Sequence, residues 1–151
     1  MWAELKKDVE FELGQIQRLF DEYKELISSA KAGRPDKAEL LALAGILHSF
    51  YNGIESIFKR IASCLDTELP RKTSWHRDLL DSMATENSSR PPVVSHELHD
   101  QLDDYLRFRH RFRHSYSFQL VWEDMRPLVL ACEETLRRLE AELAEFLKGR
   151  S

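Results

Sequence analysis

Apolar residues recur in steps of three and four along the N-terminal stretch, at Trp2, Leu5, Val9, Leu13, Ile16, Phe20, Tyr23 and Ile27. That period lines them up on one side of a helix, so a long amphipathic helix is predicted from Trp2 to about Lys31, ending before Gly33-Arg34-Pro35. A second helix is predicted with Pro35 or Asp36 in its first turn, running to about Leu65 and carrying Leu40, Leu43, Leu47, Phe50, Ile54, Ile57, Phe58 and Ile61. It is apolar over a wide arc, which makes it the central element. Gly45 and Gly53 within it read as points where a neighbouring helix comes close.

Residues 66–74, with Pro70 among them, read as a loop, and Thr73 or Ser74 is expected to cap a short helix through about Thr85. Glu86 to Val94 (ENSSRPPVV) is the clearest loop signal, expected at the surface and mobile. Ser95 then caps a further helix whose core face is Leu98, Leu102, Tyr105, Leu106, Phe108 and Phe112. Ser115 to Asp124 fits a helix or an extended connector equally well. A last helix, capped by Asp124 with Pro127 in its first turn, is predicted to reach about Lys148, with Glu133–Arg137 and Glu134–Arg138 as i,i+4 pairs. With no strand pattern and no repeat, the expectation is all-α: an antiparallel bundle of four to five helices forming a single domain over residues 1–151.

Composition narrows the class. The 151 residues are 42% apolar and 32% charged, with a net charge of -4. An acidic chain is not a general nucleic-acid coat, so any contact with nucleic acid has to be local. Cys64 and Cys132 lie in apolar helical stretches, as reduced thiols do, and the expected location is cytoplasmic. The charged N-terminus lacks the apolar core of a signal peptide, and no uncharged run approaches the ~18 residues of a membrane helix.

One stretch opposes the overall charge. Tyr105 to Phe118 (YLRFRHRFRHSYSF) holds Arg107, Arg109, Arg111, Arg113, His110 and His114 among aromatics and contains no acidic residue. On a wheel of roughly 100° per residue, Arg109 falls within about 60° of Leu98, Leu102, Tyr105, Leu106, Phe112 and Tyr116. A guanidinium on an apolar stripe keeps its charge, so it should meet an anion, a carboxylate of its own fold or a half-buried cleft. Arg107, Arg111 and Arg113 fall off the stripe, facing solvent or phosphate. Asp103, His110 and His114 share an adjacent face if the helix continues that far. An imidazole can move a proton to or from a ribose 2′-hydroxyl or a leaving oxygen, and an arginine fork can hold the phosphate between them.

The run Arg109-His110-Arg111-Phe112-Arg113-His114-Ser115-Tyr116 has arginine, a polar residue, three further positions, histidine, any residue and tyrosine. It resembles the active-site motif of HEPN-domain ribonucleases, specifically the HepT-like toxins of bacterial toxin–antitoxin pairs, and LHSFYNGIESIFKRIA (residues 47–62) is similar to that family's central helix. The resemblance implies a metal-independent endoribonuclease that needs no cofactor and forms a homodimer in which two motifs face each other. It implies neutralisation by a minimal nucleotidyltransferase-type antitoxin, with Tyr116 as the tyrosine that the partner AMPylates. Arg109, His114 and His110 become the catalytic set, and Arg107, Arg111 and Arg113 bind RNA. The polar position, often asparagine or aspartate in relatives, is His110 here.

Plainer readings stand beside these. Arg109 can be an internal ion pair, His110 and His114 a metal pair with Asp103, and Tyr116 a tyrosine at the core edge. His96 and His99 read as surface residues, Trp75 and His76 as packing for the short helix, and His48 as a hydrogen-bonded core histidine. The whole cluster can also belong to a catalytically silent helical dimer that binds nucleotide, RNA or an acidic protein partner.

Overall fold

The computed structural model describes residues 1–66 and 75–150. Its helices are α1 (Trp2–Glu22), α2 (Lys24–Ala32), α3 (Lys37–Leu65), α4 (Trp75–Met83), α5 (His96–Arg113) and α6 (Trp122–Leu147), with a short 3₁₀ turn at Ser117–Gln119 between the last two. The architecture is an all-α bundle, without strands among the described residues. The expected loop at residues 67–74 and the Thr73 or Ser74 cap lie outside the described residues.

The central helix is α3, which packs against each of the other five. Its wide apolar arc buries Leu43, Leu47, Phe50, Tyr51, Ile54, Ile57, Phe58 and Ile61. Asp36 caps it from outside rather than joining its first turn: the Asp36 side chain accepts from the Glu39 N–H at 2.8 Å, and Glu39 accepts from the Asp36 N–H at 3.0 Å. This reciprocal pair satisfies amides that would otherwise have no intrahelical partner.

The predicted first helix is in fact two. At Tyr23 the backbone turns to φ -112°, ψ 21°, and α2 begins afresh at Lys24. A break of one residue leaves a three-four period intact, so the pattern runs through it unmarked. The bend has a packing reason: α1 lies chiefly along α3, whereas α2 lies on α6. Of the two glycines, only Gly53 marks a close approach. A Cβ there would sit 2.8 Å from Cγ1 of Ile16, whereas Gly45 has nothing within 4 Å.

The 86–94 loop is anchored, contrary to the expectation of a mobile segment. The Arg90 side chain is fully buried and forms a two-pronged bond to Asp66, Nε to Oδ1 at 2.9 Å and Nη2 to Oδ2 at 3.1 Å. The same guanidinium donates to the carbonyls of Ser82, Thr85 and Pro91. One side chain therefore ties the end of α3 to the end of α4, and Val93 and Val94 are buried beside it.

At the other end of the loop Ser95 caps α5, its Oγ accepting from the Leu98 N–H. The ambiguous stretch before α6 is a connector, and α6 starts at Trp122, whose buried indole holds its first turn in the core. Pro127 thus lies inside α6 and not in its first turn. The expected i,i+4 pairs are replaced: Arg137 bonds Glu134, Arg138 bonds Glu97 and Glu142, and Glu133 meets Lys31. No described helix is long and apolar enough to cross a membrane. Cys132 is buried and Cys64 partly so, both as free thiols, and burial pushes the Cys132 thiol up to about 11.

Candidate functional site

Leu98, Leu102, Tyr105, Leu106 and Phe108 anchor α5 in the core, and the Tyr105 hydroxyl donates to the Leu128 carbonyl at 2.8 Å. The register this imposes leaves Arg109 half-buried against α3, where its Nε donates to Oδ1 of Asn52 at 2.8 Å. Among the described residues Arg109 pairs with no carboxylate. A neutral amide fixes the direction of the guanidinium without itself offsetting the positive charge.

Arg109 opens onto a cleft of about 470 Å³ between α4 and α5. From α4 come His76 and Arg77, and from α5 come Leu106, Arg107, Arg109, His110 and Arg111. Two of these charges are partly offset by Asp103, which is buried. Its Oδ1 lies 2.5 Å from Arg77 Nη1, close enough for an ion pair but without hydrogen-bond alignment, and its Oδ2 lies 3.1 Å from Arg107. Asp103 is thereby occupied with arginines and does not join the histidine pair. Among the described residues no three His, Cys, Asp or Glu side chains gather into a metal-holding group.

His110 and His114 do come together, with ring centroids 4.6 Å apart. They differ in setting. His110 lines the cleft, whereas α5 ends at Arg113 and His114 is its C-cap, with φ -111° and ψ 14°. The helix stops because the His114 N–H turns back to the Arg111 and Phe112 carbonyls, while Ser115 Oγ donates to the Arg111 carbonyl at 2.6 Å. The basic residues of that last turn, His110, Arg111 and Arg113, also suit the negative end of the helix dipole. Arg113 is exposed and lies outside the cleft.

Since the helix ends there, Tyr116 does not continue the apolar stripe. It is 73% exposed, stacked on Phe118 with centroids 5.5 Å apart. The core-edge reading of Tyr116 is therefore replaced by an accessible phenol on a short connector.

Some residues near the site were given plainer roles by the sequence or passed over. Asn52 is a polar side chain flanked by the buried Phe50, Tyr51 and Ile54, four residues after His48, and that interruption was the available signal. His48 itself is half-buried, 5.6 Å between centroids from Phe112, and its Nδ1 has no hydrogen-bond partner among the described residues, unlike the satisfied core histidine expected. Burial, and then the charges of Arg109 and Arg113, hold its pKa below 6.5. His76 does more than pack α4: its Nδ1 lies 2.8 Å from Oε2 of the buried Glu55. His99 is also no free surface residue. It bridges Asp81 at 2.7 Å and Asp100 at 3.0 Å.

An all-α bundle with an arginine–histidine cleft at the C-terminal end of its fifth helix defines the class. The chain belongs to the HepT-like protein family, whose model matches residues 42–149. That span takes in most of α3 and all of α4, α5 and α6. Neither the curated proteins nor the solved structures contain a match.

Proposed function

We propose that the protein is a metal-independent endoribonuclease toxin of the HEPN type. The observation that carries this reading is Arg109: a half-buried guanidinium, aimed by a neutral amide, paired with no carboxylate among the described residues and open to a cleft that also holds an imidazole. Such a charge is available to a phosphodiester. RNA contains its own nucleophile in the 2′-hydroxyl, so the protein has only to hold the phosphate and move protons. Arg109 binds the non-bridging oxygens and stabilises the charge that builds on them. His114 takes or delivers the proton with His110 assisting, and Arg107, Arg111 and Arg113 attract the backbone.

The active form is a homodimer in which a second copy brings its own motif against the first. The exposed Phe118 ring just beyond the motif is apolar surface that such a partner would cover. The family resemblance supports a minimal nucleotidyltransferase as antitoxin, acting by adenylyl transfer from a nucleoside triphosphate to the Tyr116 hydroxyl.

The test is cleavage of a synthetic RNA in EDTA. Wild-type protein should yield 2′,3′-cyclic phosphate ends. Arg109→Ala and His114→Ala should each lose roughly 100-fold or more, and Asn52→Ala should fall between, because it leaves the charge in place but unaimed. Salt-sensitive RNA binding without cleavage would replace this reading with that of a silent binder. Equal rates for wild type and both alanine variants would remove Arg109 and His114 from the chemistry.

A further inference from the structure

Glu55 is a carboxylate in the most apolar helix of the molecule, and only 5% of it is exposed. A buried carboxylate requires a partner, and its partner is a ring on the wall of the Arg109 cleft: His76 Nδ1, at 2.8 Å from Oε2. A carboxylate can only accept, so Nδ1 is the donor and the neutral ring keeps its lone pair on Nε2. Among the described residues Nε2 has no hydrogen-bond partner. The Trp75 ring lies against the imidazole at 3.6 Å between centroids and limits its rotation. Orientation by a buried carboxylate, a fixed tautomer and a ring nitrogen without a partner among the described residues, on a side chain that lines an open cleft, are the requirements of a general base.

Resting on the ribonuclease reading above, we infer that His76 is a further catalytic residue, the base that deprotonates the 2′-hydroxyl, with Glu55 as its positioning residue. Nε2 takes the proton as the 2′-oxygen attacks phosphorus. The bond from phosphorus to the 5′-oxygen breaks, and the proton that oxygen needs comes from the His110–His114 pair, of which His110 lines the cleft. The products are a 2′,3′-cyclic phosphate and a 5′-hydroxyl. Arg109 holds the non-bridging oxygens throughout. The cleft thus has imidazoles on two walls, one from α4 and one from α5, which is what simultaneous removal and delivery of a proton demands.

The roles separate with a substrate whose 5′-leaving oxygen is replaced by sulfur, because a thiolate leaves without being protonated. A single-ribonucleotide oligomer of each type is cleaved in EDTA across a range of pH. His76→Ala should lose roughly 100-fold or more on both substrates, lose the rise in rate with pH on the acid side, and recover with added imidazole. His114→Ala should be slow on the oxygen substrate and restored on the sulfur one. Glu55→Gln, which keeps an acceptor for Nδ1 and so preserves the packing, should lose roughly 10- to 100-fold. Rescue of His76→Ala by the sulfur substrate would overturn the assignment as base. A wild-type rate in His76→Ala would overturn the whole proposal while Arg109 and His114 retained their roles. If wild-type protein cut neither substrate, the ribonuclease reading would fall and this inference with it.

Discussion

Replacing Arg90 with alanine should be among the most destabilising single changes in the chain. The side chain is fully buried, and its five hydrogen bonds reach both oxygens of Asp66 and the carbonyls of Ser82, Thr85 and Pro91. Removing it leaves a mostly buried carboxylate and three carbonyls without that donor. Breaking a buried ion pair from one side costs about 3–5 kcal/mol, which in a chain of this length lowers the melting temperature by roughly 6–20 °C. The comparison is Arg137→Ala, whose bond to Glu134 is solvent-exposed on both sides and whose loss should leave the unfolding midpoint essentially unchanged. Urea and thermal unfolding followed by circular dichroism measure both. The damage should be directional as well: amides at the end of α4, which Arg90 ties to α3, should exchange hydrogen faster than those of α1. A loss below about 1 kcal/mol, or uniform acceleration of exchange, would refute the anchoring role.

Two further predictions concern packing and pH. Gly53→Ala should destabilise by about 1–3 kcal/mol, because its methyl would meet the buried Ile16, whereas Gly45→Ala should stabilise by roughly 0.5–1 kcal/mol through lower chain entropy; denaturant midpoints of the purified variants decide the signs. For His99, burial works against the charged form, but the bonds to Asp81 and Asp100 outweigh it and raise the pKa above 6.5. Its contribution to stability is then complete below pH 6.5 and is lost as pH rises through the raised value. Melting temperature against pH should show this decline, and Asp81→Asn should flatten it.

Much of the bundle was legible because helix periodicity encodes which face is buried. The central place of α3, the Ser95 cap and the helix bearing the arginines all follow from spacing. Features without a period did not show. Tyr23 interrupts a helix without disturbing the apolar steps, and Gly45 and Gly53 look alike until Ile16 is seen over one of them. Arg90 sits among Ser and Pro and reads as loop, since only the fold brings Asp66 to it. At the site, the sequence singled out Arg109 because a charge on an apolar stripe is conspicuous within one helix. Its partner Asn52 lies on another helix, and the Glu55–His76 pair joins two more positions far apart in the chain. Contacts of that kind leave no local pattern.

The adjacent residues Asn52 and Gly53 divide one turn of α3 between two neighbours. Asn52 aims the guanidinium of α5, and Gly53 makes room for Ile16 of α1. The family match begins at residue 42, after α1 and α2 have ended, so the N-terminal arm stands outside the matched span. It is nonetheless geared to the site: a bulkier side chain at 53 or a displaced α1 would push on the backbone that carries the amide at 52. Changes in an arm remote from the cleft would then register as a loss of aim at Arg109, with every cleft residue still in the sequence.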